Sequence, residues 1–281
     1  MADVASVTNG FERCLSSPID ARMGSERALL SVAALLFTAS AAATTLWCGS
    51  MSAMAGTPML GGWTMSMAWM PMCGQTWLGA AASFVGMWVV MMVAMMLPSL
   101  VPMLRRYRQA VGGTGEVRLT LLTVLVGAGY FVVWSGLGMA VFPLGAGLAA
   151  IAMQEPALSR VVPLAAGAVV LFAGALQFTA WKIHHLACCR EVPRCCRPLP
   201  ADAGTALRHG LRLGVHCGTC CANLTVILLA MGVMDLRVMA TVTAAITAER
   251  LLPDSENVAR GIGAVAVMAG LLLIAQAEGF G

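Results

Sequence analysis

The segment His216-Cys217-Gly218-Thr219-Cys220-Cys221 sets an imidazole and three thiols at the entrance of an apolar run, residues 222–233. Thiolate and imidazole are ligands that Cu(I), Zn(II) and related ions prefer. On an α-helix each residue advances about 100°, so Cys217, Cys220 and Cys221 fall at about 100°, 40° and 140° from His216. All four share one face, where i,i+3 and i,i+4 neighbours adjoin. Such a face supplies two or three ligands to one ion and leaves the rest to another helix. The competing reading is packing, because buried cysteine also behaves as a small hydrophobe. A single cysteine fits that reading; His-Cys-x-x-Cys-Cys on one face points to metal or redox chemistry.

A second source of soft ligands precedes it. Met87, Met91 and Met95 form one helical stripe with Met92 and Met96 beside it. Thioether sulfur suits Cu(I) and places no ligand charge in an apolar interior. Methionine also fills core gaps adaptably, so the stripe gains its meaning from the cysteines. The uncharged stretch 48–75 repeats the theme with Cys48, Met51, Met54, Met59, Met65, Met67, Met70, Met72 and Cys73. It either collects Cu(I) from an oxidising compartment or lies at an interface, anchored by Trp63, Trp69 and Trp77. A Cys48–Cys73 disulfide is a further option there.

Two more groups complete the inventory. Glu249 is an ionisable residue close to the apolar core, where such residues are costly and functional. It is expected either to pair with Arg250 or Arg212, or to face His216 as a metal or proton ligand. His184, His185, Cys188, Cys189, Cys195 and Cys196 offer a second ligand cluster, although their spacing is not that of a zinc finger or ribbon.

The elements that must position these residues follow from composition. Of 281 residues, 59% are hydrophobic and only 11% charged, against about 25% in soluble domains. Aromatics are 6%, and no period-two barrel pattern appears. The expected fold is all-α, a polytopic transmembrane bundle of about seven helices. These fall near 28–47, 77–104, 119–145, 161–184, 207–233, 236–252 and 261–276. Pro98 and Pro102 should end the second helix, and Pro143 should break the third. The fifth carries Arg208, His209 and Arg212 in its first turns. Residues 1–27 form a cytoplasmic segment and 28–281 a single bundle, with a Met-rich outer loop at 48–76 and a Cys-rich inner loop at 185–206.

With a cytoplasmic N-terminus, all but Arg160 and Arg237 of the 17 Lys and Arg residues fall on the inner side. The net charge of +4 therefore reflects topology and does not point to nucleic acid. The first 27 residues do not read as a signal peptide, although Ala41-Ala42-Ala43 resembles a cleavage site.

The order of motifs over residues 77–253 resembles a bacterial family of predicted metal-binding integral membrane proteins, a domain of unknown function. The resemblance rests on Trp88-x-x-Met91-x-x-Ala94-Met95-Met96-x-Pro98, on Gly129-Tyr130 followed by Trp134, and on Gln177 and Lys182. It continues through Cys217-x-x-Cys220-Cys221 and Glu249-x-x-x-Pro253. It implies ligand roles for Met95, Met96, Cys217, Cys220, Cys221 and Glu249. Arg250 stands where a lysine is common, Ala222 where an aromatic is expected, and His184-His185 is outside the pattern.

The expected function is membrane metal handling, for transport or for delivery to a partner. A soft ion, copper(I) first, would be held by His216, Cys217, Cys220, Cys221, Met91, Met92, Met95, Met96 and Glu249. Zinc and iron fit some of the same donors. The expected partners are the lipid bilayer, the metal ion and a metal-donor or acceptor protein, in a bacterial inner membrane. The alternative is enzymatic: a membrane thiol oxidoreductase, or a metal-centred membrane oxidase, using Cys217, Cys220 and Cys221.

Overall fold

A computed structural model describes residues 19–53, 56–59, 62–71, 74–111, 114–190 and 200–279. Eight α-helices are seen among them: α1 Ile19–Ala53, α2 Trp77–Val111, α3 Glu116–Gln154, α4 Pro156–Leu176, α5 Ala180–Arg190, α6 Ala203–Met231, α7 Leu236–Leu251 and α8 Ser255–Gly279. The fold is an all-α bundle, as composition requires. By length and apolarity, six of the eight (all but α5 and α7) are able to cross a membrane. A helix is found at each of the seven expected places; the one expected over 236–252 is α7, whose 16 residues rise only about 24 Å.

The prolines do less than expected. α2 continues through Pro98 and Pro102 to Val111, and α3 continues through Pro143 to Gln154. A proline frees a backbone carbonyl one turn earlier, and neighbouring hydroxyls and helices can satisfy such groups within an apolar bundle. Beside Pro98, Ser99 Oγ donates to Met96 O at 2.9 Å, which is not a carbonyl that either proline frees, and is itself approached by Arg250.

The single helix expected over 161–184 is instead two. After Leu176 the backbone tightens to i→i−3 hydrogen bonds: Gln177, Phe178 and Thr179 N–H donate to Gly174, Ala175 and Leu176. Thr179 Oγ1 then bonds Leu176 O at 2.7 Å and accepts from Lys182 N at 3.4 Å. This hydroxyl serves the orphan groups of both helix ends, and the turn brings Gln177 and Lys182 inward.

α3 and α6 touch almost backbone to backbone. A Cβ on Gly210 would lie 2.2 Å from Val126 O, and one on Gly129 would lie 2.6 Å from Leu207 O. Small residues at four-residue spacing permit that approach. Gly214, one turn on, would put a Cβ 2.9 Å from Tyr130 O, whereas Gly218, one turn further, faces open space. Asp202 caps α6 by accepting from Thr205 N at 3.0 Å, and Asp235 caps α7 through Arg237 N at 2.8 Å.

The loop between α1 and α2 is folded onto the bundle. It contains a two-residue antiparallel pair, Thr57–Pro58 with Thr64–Met65, and a 3₁₀ turn, Met67–Trp69. Trp63 Nε1 donates to Ser159 O at 2.9 Å. Trp69 packs on Gly145 of α3 and, with ring centroids 5.1 Å apart, on Phe84 of α2. Trp77 alone of the three expected anchors is largely exposed. At the opposite end of α1 and α2, Arg105 pairs with Glu26 at 2.7 Å.

Candidate metal centre

Cys217, Cys220 and Cys221 lie in the middle of α6, and all three are buried thiols outside any disulfide. The close α3–α6 contact carries Tyr130 onto them, with its hydroxyl 2.8 Å from Cys217 Sγ. From α2, Met96 Sδ approaches the same sulfur at 4.0 Å. Cys221, one turn on from Cys217, is in contact with Cys217 and Cys220. A thiol pair and a thioether thus meet at one place, drawn from two helices.

Met87, Met91, Met92, Met95 and Met96 are all buried along α2. The order of α2 in the core is fixed by Trp88, whose Nε1 donates to Trp134 O at 2.9 Å. Gly138 makes room for its ring, since a Cβ there would meet Trp88 Cδ1 at 2.5 Å. Trp88, Tyr130 and Trp134, which entered the sequence motif without a role, therefore set the register between α2, α3 and α6.

Beneath the thiols is a charged network that sequence reasoning did not find. Lys182 is completely buried, and its ammonium donates to Glu249 Oε2 at 2.7 Å, Cys220 O at 2.8 Å and Asn223 Oδ1 at 3.4 Å. Three donors meet three acceptors, the full capacity of an ammonium. Gln177 Nε2 donates to the other oxygen, Glu249 Oε1, at 2.7 Å. Glu249 therefore meets Lys182, where Arg250 or Arg212 was expected. The reason is the turn before α5, which hydropathy alone reads as continuous helix. A buried ion pair of this kind survives only because its remaining hydrogen bonds are made.

Arg250 takes another direction. It is buried, its Nη1 lies 3.4 Å from Ser99 Oγ, and its guanidinium is within electrostatic reach of Cys221, Cys217, Tyr130 and Cys220. α7 thus ends at the level of the cysteines and supplies both a carboxylate and a guanidinium there. Among the described residues, the charged side chains that are buried are Lys182, Glu249 and Arg250. Their formal charges leave one positive charge beside the thiols.

His216 is exposed while its neighbour Cys217 is buried. Among the described residues, no three His, Cys, Asp or Glu side chains form a group able to hold an ion. What converges on Cys217 is the Cys221 thiol and the Met96 thioether, with Cys220 beside Cys221. Zn(II) in a structural site takes four ligands in a tetrahedron. A set that includes an uncharged thioether is better suited to Cu(I), the softer ion.

The inner-loop cluster is only partly visible. His185 packs edge-on against Trp181 at 4.6 Å, with His184 5.7 Å beyond. Cys195 and Cys196 lie outside the described residues, as do Met54, Met72 and Cys73, and the side chains of Cys188 and Cys189 are not described.

Residues 85–273 match the model of the PpoB2 family, described as a copper chaperone. The match spans more than half of the 281 residues, and the chain belongs to this family. It takes in all of the sulfur cluster and the charged network. No curated protein matches the chain, and no solved structure does.

Proposed function

We propose that this copper chaperone family member holds Cu(I) inside a membrane-embedded bundle, on Cys217, Cys221 and Met96, for delivery to a partner protein. The observation that carries the reading is the buried meeting of Cys217 with Met96 and Tyr130, 4.0 Å and 2.8 Å away, beside Arg250. Two thiolates and one Cu(I) carry a net single negative charge. The buried Lys182, Glu249 and Arg250 carry a net single positive charge. In an apolar interior, where an uncompensated charge costs several kcal/mol, that complementarity favours the loaded state.

Each neighbour has a part in this reading. Tyr130 donates to the Cys217 sulfur once it is a thiolate, and Arg250 offsets the charge of the thiolate pair. Lys182 and Glu249 fix the α6 backbone at Cys220 through its carbonyl. Met91, Met92 and Met95 extend the thioether surface along α2, and Cys220 is the reserve thiol. Because thiols lose protons when they bind metal, Cu(I) uptake should release protons and weaken as pH falls.

The experiment is copper determination on protein purified anaerobically in detergent, with and without Cys217→Ser/Cys220→Ser/Cys221→Ser. The reading expects bound copper that falls in the variant. Unchanged copper, or no copper with Cys217 and Cys220 joined as a disulfide, would contradict it. The disulfide outcome would favour the thiol oxidoreductase.

A further inference from the structure

We infer that the far end of the same helices carries a second, surface-accessible Cu(I) site made of thioethers, which loads the cysteine cluster. The inference rests on the copper reading above. A cavity of about 80 Å³ opens where α1 ends, α2 begins and α6 turns into α7. Met51, Met67, Met70, Met87 and Met234 line it, together with Trp47. They come from α1, the 3₁₀ segment, α2 and the α6–α7 turn, so no single helix stripe explains their meeting.

A further sulfur adjoins them. Cys48, a buried thiol, lies 3.9 Å from Met234 Sδ. Cu–S bonds are about 2.3 Å if they resemble Zn–S bonds, and two sulfurs this far apart can share one ion. Among the described residues, no Asp, Glu, Lys or Arg lines the cavity, which suits a soft monovalent ion and is poor for Zn(II), Ca(II) or Mg(II). The Trp47 ring offers a π face to a cation. Gln75, whose Nε2 donates to Ser83 Oγ at 3.1 Å, supplies the polar part of the wall. Met87 is buried, whereas Met51, Met67, Met70 and Met234 are only partly so, and the cavity is therefore reached from outside.

α2 joins this cavity to the cysteines. Met87 lines the cavity and Met96 touches Cys217, nine residues and roughly 14 Å apart along the helix. Met91, Met92 and Met95 lie between, all buried, and i,i+4 neighbours on a helix are about 5–6 Å apart. Cu(I) can pass along such a run by exchanging one thioether for the next. The step involves no electron transfer, and the ion ends on thiolates, which hold it more strongly.

The test uses full-length, selenomethionine-labelled protein loaded anaerobically with excess Cu(I). Copper is counted, and Cu–Se scattering is read at the copper X-ray edge. Proteins compared are the wild type, Cys217→Ser/Cys220→Ser/Cys221→Ser, and Met51→Leu/Met67→Leu/Met70→Leu/Met234→Leu. The inference expects the cysteine variant to keep about half of the copper, now with a selenium shell, and the methionine variant to lose that portion. Excess copper that lacks selenium neighbours in the cysteine variant overturns the thioether site, even if the methionine variant fails to fold. Equal copper in the wild type and the methionine variant also overturns it while leaving the cysteine site standing. Copper lost only in the methionine variant would support this cavity and sink the cysteine site.

Discussion

Tyr130 and Cys217 show how much one contact carries in this interior. Their 2.8 Å approach gives a Cys217 thiolate a hydrogen bond of the charge-assisted kind, worth about 1.5–3 kcal/mol. Tyr130→Phe should therefore weaken Cu(I) binding by roughly tenfold to a hundredfold at 1.4 kcal/mol per decade. A competition titration against a Cu(I) chelator measures this, and unchanged affinity would remove Tyr130 from the site. Lys182 and Glu249 call for a different test. Lys182→Met leaves Glu249 buried without its cation and should cost about 3–5 kcal/mol, whereas Lys182→Met/Glu249→Gln removes both charges and should recover much of that. Thermal melts in detergent would show the two variants ordered so; equal melting temperatures would mean that the pair contributes little.

At the scale of elements, the decisive contact is that between α3 and α6. Gly210→Ala puts a methyl 2.2 Å from Val126 O, which the backbone cannot tolerate without moving. Overpacking of this kind costs about 1–3 kcal/mol and would withdraw Tyr130 from Cys217. Gly218→Ala, in open space, is the control and should gain up to about 1 kcal/mol of helix propensity. If both substitutions lowered stability and copper binding alike, the close contact would not be what positions the site. These elements were legible in the sequence to differing degrees. The apolar runs located the long helices, and 3.6-residue periodicity put Cys217, Cys220 and Cys221 on one buried face. It also put His216 at the edge of that face, where its side chain is exposed, because a face's width is set by the partner helix. The turn before α5 was hidden because residues 161–184 are nearly uniformly apolar until Lys182. A hydropathy window does not register one threonine that bonds to the backbone, so Lys182 reads as the last turn of one continuous helix near its end.

Taken whole, the bundle is polar in sequence and in structure. The Arg105–Glu26 pair lies at one end of α1 and α2, and the methionine-lined cavity lies at the other. If the arginine end faces the cytoplasm, as the positive-inside rule requires, the cavity opens outward. An alkaline phosphatase fusion after Gly62 should then be active and one after Gly113 inactive. The reverse pattern would invert the direction of loading. The charge asymmetry was legible because lysine and arginine crowd the ends of hydropathic runs. The cavity was not, because it joins Met51, Met87 and Met234 across long sequence separations. Of the seven expected helices α7 is the short one, with 16 residues, and it ends where Glu249 and Arg250 meet the core.

The central claim is that Cu(I) sits on Cys217, Cys221 and Met96, and copper-edge X-ray absorption tests it most directly. The protein is loaded anaerobically with less than one equivalent of Cu(I), so that the thiolates fill first. The account predicts a shell of about three sulfurs near 2.3 Å, as expected for thiolate and thioether ligands, and its loss in Cys217→Ser/Cys221→Ser. A nitrogen or oxygen shell, unchanged when both cysteines are replaced, would contradict it.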